Sequence, residues 1–307
     1  MRVLVTGGSG YIGSRLLRLL AARADVDEVV NVDLNPGEPL EGIRQVARSV
    51  TEPLDDLLEG VELALHLAWI MDPLRDAARQ REICVGGTES FLAGCAAAGV
   101  RHVFFMSSAT AYGAHPAHAE PVDESAPLRE RHHFRYSRQK RECELLVKRF
   151  AEECPGTLVQ VCRAPVAGGP GVDNFIFRSA RRRLVFKAAG LDPAIQLVYE
   201  DDLAAAVSAI VASDVPGAFN VAPDDTVRLT EAYGAFGRRR VVPLPLPLLV
   251  RANGLAWRRG WTSLTEAPGE FAYFISYPFL VSSRRIESEL GFRCAYTTRE
   301  TLSATLA

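Results

Sequence analysis

The sequence contains no C-x-x-C pair. Its six cysteines, Cys84, Cys95, Cys143, Cys154, Cys162 and Cys294, stand apart from one another. That excludes the usual zinc and dithiol motifs and predicts free, mostly buried thiols in a reducing compartment. An excess of positive charge is also missing: 35 Lys and Arg stand against 37 Asp and Glu, a formal net charge of −2. Nothing chain-wide is therefore available to bind a nucleic-acid backbone. The basic runs Arg181–Arg183 and Arg238–Arg240 read as solvated faces. Long apolar stretches are lacking too. Val241–Val250 is short and carries three prolines, whereas a bilayer span needs about 20 apolar residues. A first strand beginning at Arg2 leaves no room for a signal peptide. Together these absences predict a cytoplasmic protein with no nucleic-acid partner, no membrane partner and no metal. With 48% hydrophobic and 23% charged residues, disorder is excluded. The 307 residues allow one large domain or two modest ones.

What the first half does have is alternation. Short apolar runs at Arg2–Thr6, Val29–Asp33, Leu63–Leu67, Val103–Ser107 and Leu158–Cys162 read as buried strands. Helical periodicity fills Tyr11–Arg23, Asp76–Ala98 and Arg135–Glu153. Continuous apolar strands alternating with helices predict an α/β fold, a Rossmann doubly wound parallel sheet. After about Arg163 the texture changes. The sequence predicts helices at Asn174–Arg183 and Asp201–Ser213 and one from Leu229. It predicts short strands at Leu184–Lys187, Ile195–Tyr199 and Ala218–Val221. The expected division is a Rossmann domain over 1–165 and a smaller substrate-binding lobe over 166–307, with Asp201–Ser213 folding back onto the first.

The segment Thr6-Gly7-Gly8-Ser9-Gly10-Tyr11-Ile12-Gly13 lies between a predicted strand and a predicted helix. Gly7 permits a tight turn, Gly10 lets the backbone approach a pyrophosphate, and Gly13 lets the helix lie close to the strand. The helix N-terminus then offers free N–H groups to the phosphates. The second strand ends in Asp33, at about the expected ~20-residue distance. Asp33 is suited to accept hydrogen bonds from the adenosine ribose and to repel a 2′-phosphate, so NAD is the expected cofactor.

Tyr136-Ser-Arg-Gln-Lys140 puts a phenol and an ammonium one helical turn apart. A neighbouring cation, together with an oxidised nicotinamide, is expected to lower the phenol pKa so that Tyr136 can exchange a proton with a substrate hydroxyl. The glycine loop, the strand end at Ser107-Ser108 and the Tyr–Lys helix follow one another in an order that resembles the extended short-chain dehydrogenase/reductase family of NAD-dependent epimerases and dehydratases, in particular its UDP-glucose 4-epimerase-like subgroup. Also carrying the resemblance are His66–Ala68, Val85–Thr88, Ser107–Gly113, Arg163–Pro170, Asp201–Ala204 and Glu289–Phe292. The resemblance implies a catalytic set of Ser108, Tyr136 and Lys140. It implies cofactor binding by Gly7, Gly10, Tyr11, Ile12, Gly13, Asp33, Leu67, Ala68, Tyr136, Lys140 and Pro165. It also implies a small-molecule substrate and a homodimer through the two long helices.

The chain departs from that pattern at several points. Cys84 stands where the family often has the Asn of a proton relay, and Ser49 where it often has an adenine-contacting Asp. Val166 and Ile195 occupy the positions at which the resembled epimerases hold a nucleotide diphosphate with Asn and Arg. A further Arg has no match around Ala272. Either Arg178 or the Arg181–Arg183 run supplies charge to a diphosphate, or the substrate is not a nucleotide sugar. Three readings follow: an epimerase or dehydratase, a net NAD(H)-dependent dehydrogenase or ketoreductase on a small alcohol or ketone, and a catalytically silent dinucleotide-binding regulator.

Overall fold

The structure is a computed structural model that describes residues 1–116, 120–129, 134–237 and 240–306. Arg238 and Arg239 of the second basic run lie outside the described residues. In the first half, β1 (Arg2–Thr6) leads into α1 (Gly13–Ala21), β2 (Glu28–Asp33), β3 (Ile43–Ala47), α2 (Asp55–Leu58) and β4 (Leu63–His66). Then come α3 (Ala77–Arg81), a π-helical turn (Glu82–Gly86), α4 (Gly87–Ala98), β5 (His102–Met106), a 3-10 turn (Ala109–Tyr112), α5 (Arg135–Glu153) and β6 (Leu158–Arg163). The second half runs β7 (Val166–Gly168), α6 (Phe175–Ala180), β8 (Leu184–Ala188), β9 (Ala194–Ile195), β10 (Leu197–Tyr199), α7 (Glu200–Val211) and β11 (Gly217–Asn220). It ends with β12 (Val227–Arg228), α8 (Leu229–Ala235), β13 (Arg240–Leu244), α9 (Leu246–Arg259), α10 (Phe271–Phe274), α11 (Arg284–Leu290) and α12 (Thr298–Leu306).

Seven strands form one parallel sheet in the order β11-β6-β5-β4-β1-β2-β3. This is the expected doubly wound sheet, extended by β11. Its two faces are covered by separate cores, as a parallel sheet requires. On one face Leu16, Leu17 and Leu20 of α1 meet Leu203, Val207 and Ile210 of α7. On the other, Leu57 and Leu58 of α2, Phe91 and Leu92 of α4, and Cys143, Val147 and Phe150 of α5 pack together. The helix predicted over Asp201–Ser213 is thus α7, seated on α1. Cys84, Cys95, Cys143 and Cys162 are buried free thiols, and Cys154 and Cys294 are partly buried ones. Among the described residues no helix is long and apolar enough to cross a membrane.

The structure adds local detail to the sequence expectation at one helix and one strand. The helix expected over Asp76–Ala98 runs unbroken from Ala77 to Ala98 with Asp76 as its N-cap, but its middle, Glu82–Gly86, widens into the π turn. The Thr88 hydroxyl donates to the Cys84 carbonyl at 2.7 Å and the Cys143 thiol approaches it at 3.6 Å. Side chains that insert into the helical ladder in this way favour a wider turn. The strand expected over Ile195–Tyr199 is divided. β9 pairs with β12 and β10 pairs with β7, while the Gln196 side chain between them bonds the Pro223 and Val281 backbones.

His66 joins the sheet to α4. The Thr6 hydroxyl lies 2.7 Å from Nδ1, and Nε2 lies 3.1 Å from the Thr88 hydroxyl. Because the Thr88 proton is directed to the Cys84 carbonyl, a neutral ring protonated at Nε2 satisfies every group. Phe91 stacks on the ring at 4.7 Å, and burial pushes His66 down from 6.5 to about 3. The unfolded chain therefore takes up this proton first as pH falls. The associated stability is complete above about pH 6.5 and is lost progressively toward pH 3. We predict a loss of about 2 kcal/mol from this group by about pH 5. His66→Asn should show a smaller fall in Tm between pH 7 and about pH 5 than the wild type; equal falls would remove His66 from the acid response.

Candidate active site

The strand order reverses between β1 and β4, and a cleft of about 420 Å3 opens at the C-terminal ends of the strands there. Gly7, Gly10, Tyr11, Ile12, Gly13, Asp33, Leu67, Ala68, Ser108, Tyr136, Lys140 and Pro165 all line it. Every position expected from the sequence thus lies on one surface.

The glycines are forced by close packing. Gly7 has φ +74°, and a Cβ there would stand 2.5 Å from the Ala68 Cα. A Cβ on Gly13 would stand 2.6 Å from the Gly7 carbonyl oxygen. Leu67 and Ala68 are therefore pressed against the turn after β1. Ile12 caps α1 without a side-chain bond, and no acidic residue occupies its first turn. The free N–H groups and the positive end of α1 meet the cleft uncompensated by an anion. Asp33 accepts from the backbone N–H of Ser9 and of Asn35, each at 3.2 Å, so its carboxylate is fixed beside the glycine turn. Ser49 also lines the cleft, but its hydroxyl is shared with Thr51 at 2.8 Å.

At the other end stand the residues of α5. Lys140 is only 3% exposed. Its ammonium donates to the Met106 carbonyl at 2.7 Å and lies 3.6 Å from the centre of the Trp69 ring. Burial pushes it down to about 8, against the pull of Cys143, Cys84 and Glu144. Burial pushes the Tyr136 phenol above its ordinary value, and a hydrogen bond with Ser108 opposes that rise. This differs from the expected lowering by Lys140. The ammonium sits 5.9 Å from the Tyr136 ring centre and is held by Met106 and Trp69 instead. Ser108 is itself anchored: its hydroxyl accepts from the Thr110 N–H at 3.2 Å and donates to the Ala164 carbonyl at 3.4 Å.

Behind these residues lies a buried ion pair. Arg163, at the end of β6, holds Glu144 of α5 through Nε at 3.0 Å to both oxygens and Nη2 at 2.6 Å. The Ser107 hydroxyl donates to the same carboxylate. Arg163 also donates to the Tyr112 hydroxyl at 2.6 Å, which in turn donates to Asn220 at 2.9 Å. The network ties β6, α5, the end of β5, the 3-10 turn and β11 into one unit.

The cleft lining also includes residues that the sequence did not single out, Trp69 and Thr110 among them. The buried Trp69 indole N–H and Thr110 hydroxyl line it and have no protein partner. Their signal was only adjacency, Trp69 following His66–Ala68 and Thr110 lying within Ser107–Gly113. Cys84, at the family's Asn position, is a buried thiol pushed up by burial, with the Ile70 backbone as partner. Of the arginines offered for a diphosphate, Arg178, Arg181 and Arg182 are engaged elsewhere. Arg178 pairs with Asp72, Asp173 and Glu266. Arg182 bonds Glu266 and two backbone carbonyls, and Arg181 reaches the carbonyls of Val172 and Thr305.

A family model described as the NAD dependent epimerase/dehydratase family matches residues 3–222. An uncharacterized protein of Mycobacterium tuberculosis is 26% identical over 313 residues, covering 97% of this chain and 81% of its own. Among solved structures, UDP-glucose 4-epimerase of Thermotoga maritima with UDP-glucose matches with TM-score 0.76 and 20% identity, over 100% of this chain and 97% of that one. The dTDP-glucose 4,6-dehydratase DesIV of Streptomyces venezuelae with NAD bound matches with TM-score 0.76 and 22% identity, over 100% and 96%.

Removing one member of the buried pair leaves an uncompensated charge. Glu144→Met or Arg163→Met should each cost about 3–5 kcal/mol in urea unfolding, and the double variant less than either. Single losses below about 1 kcal/mol would show that the network does not hold these elements.

Proposed function

The chain belongs to the NAD-dependent epimerase/dehydratase family, and from that premise we propose that its cleft moves hydride to and from the carbon of a secondary alcohol or ketone, with Tyr136 as general acid–base. The observation that carries this reading is the convergence of Ser108, Tyr136 and Lys140 at one end of a cleft whose other end holds the glycine turn and Asp33.

The residues fit a dinucleotide. Gly7 and Gly13 leave the turn no bulk beyond the backbone, the start of α1 lacks an internal anion, and three buried polar atoms of lining residues, on Tyr11, Trp69 and Thr110, await a partner. When bound, NAD supplies the hydride site and, oxidised, a positive charge. Asp33 would accept from the adenosine ribose, the first N–H groups of α1 would take the pyrophosphate, and Leu67, Ala68 and Pro165 would flank the cofactor. Ser108 would hold the substrate oxygen by hydrogen bond. Tyr136 would exchange a proton with that oxygen. Lys140 would hold the nicotinamide ribose and bring cationic charge toward the phenol, which burial alone pushes the wrong way for a base.

Among the described residues lining the cleft, Asp33 is the one carboxylate, and it belongs to the adenosine end. Loss of water from a sugar needs a second acid–base group at the neighbouring carbon. The site therefore suits reactions completed at one carbon, either epimerisation through a transient ketone or net dehydrogenation, better than dehydration.

Tyr136→Phe should leave NAD affinity within about twofold and lower turnover roughly a hundred- to ten-thousand-fold. Calorimetry for the cofactor, with NADH absorbance for net dehydrogenation and product analysis for epimerisation, checks both halves, and unchanged turnover would contradict the role given to Tyr136.

A further inference from the structure

Beyond the cofactor cleft lies a second cavity of about 140 Å3. It adjoins the first, with Val166, Ile176, Phe271 and Phe274 lining both. From those shared residues it runs into the C-terminal half among Phe177, Ile195, Tyr233 and Phe236. Val166 and Ile195, the two positions at which the resembled epimerases hold a diphosphate, thus both face this space. Besides Ser179, Tyr233, Asn253 and Tyr277, its polar lining includes two side chains turned to the protein. Gln196 bonds the backbones of Pro223 and Val281, and the Thr265 hydroxyl bonds the backbone of Ala267 at both its groups. Arg182 is the one cation among the described lining residues, and Glu266 with two carbonyls engages it. Among the described residues no carboxylate lines the cavity.

We propose that this cavity is the substrate-tail site and that it takes an uncharged apolar group, an aromatic ring or short hydrocarbon chain attached to the reacting alcohol or ketone carbon, rather than a nucleotide diphosphate. The inference rests on the hydride-transfer reading of the adjoining cleft and names its substrate class. The volume has room for about ten water-sized groups, the scale of a phenyl ring with a short linker. Burying a diphosphate here would leave its charges without partners, which a low-dielectric site penalises heavily. An apolar tail gains by leaving water and asks for no new bond.

The probes are benzylacetone, a ketone carrying a phenyl ring on a short chain, and UDP-glucose, tested by calorimetry on the NAD-loaded protein and by NADH consumption. Benzylacetone should bind, UDP-glucose should not displace it, and Tyr136→Phe should bind the ketone like the wild type while failing to reduce it. Ile195→Arg places a cation in the cavity and should weaken benzylacetone binding about tenfold or more. If that variant fails to fold, competition between the two probes on the wild type decides alone. Absence of benzylacetone binding, or its displacement by UDP-glucose, overturns the proposal. Ketone binding without reduction by any form of the protein leaves the cavity assigned and removes the hydride reading. NADH chemistry on UDP-glucose alone keeps that reading and removes the apolar substrate.

Discussion

The Arg163–Glu144 ion pair is the constraint from which the site is built. Tyr136, Lys140 and Glu144 recur every four residues along α5, so they form one stripe on the helix. The first two reach the cleft, and the third is fixed to the end of β6 by three short bonds. Because Ser107 shares that carboxylate, the strand end carrying Ser108 and the helix carrying Tyr136 are positioned by a single group. Desolvating two charges is costly, and the cost is offset only when remaining donors and acceptors are satisfied. Here Tyr112 and Asn220 extend the chain of bonds as far as β11.

That anchoring lets the chemical end of the cleft be poor in charge. Lys140 is its one cation among the described lining residues near Tyr136, and burial has already weakened its hold on a proton. A group poised in this way responds strongly to any charge brought beside it. The polarity gradient along the cleft is marked. The glycine turn, the start of α1 and Asp33 make one end suited to phosphates and ribose. The other end adjoins a cavity whose one arginine among the described lining residues, Arg182, is engaged by Glu266 and backbone carbonyls.

Much of this was legible in the sequence because it depends on local pattern. Buried parallel strands read as unbroken apolar runs, and the glycine turn and the Tyr136–Lys140 spacing follow from backbone geometry. β3 escaped notice as a strand because Ile43–Ala47, at the sheet edge, has neither an unbroken apolar run nor strict alternation, and none of its five residues is fully buried. The π turn depends on Cys143 of a distant helix touching the Cys84 carbonyl. Pairing of Arg178 and Arg182 with Glu266 joins residues more than eighty positions apart, and no short-range pattern encodes it. The phenol of Tyr136 shows the same limit. Spacing placed the ammonium nearby, but tertiary packing directed it to Met106 and Trp69.

The most direct measurement of the central claim is a crystal structure with NAD bound. The account predicts adenosine ribose on Asp33, pyrophosphate at the start of α1, and the nicotinamide beside Pro165 with Ser108 and Tyr136 facing its reactive carbon. A nicotinamide lying away from Tyr136, or a cleft that does not take up NAD, would contradict it.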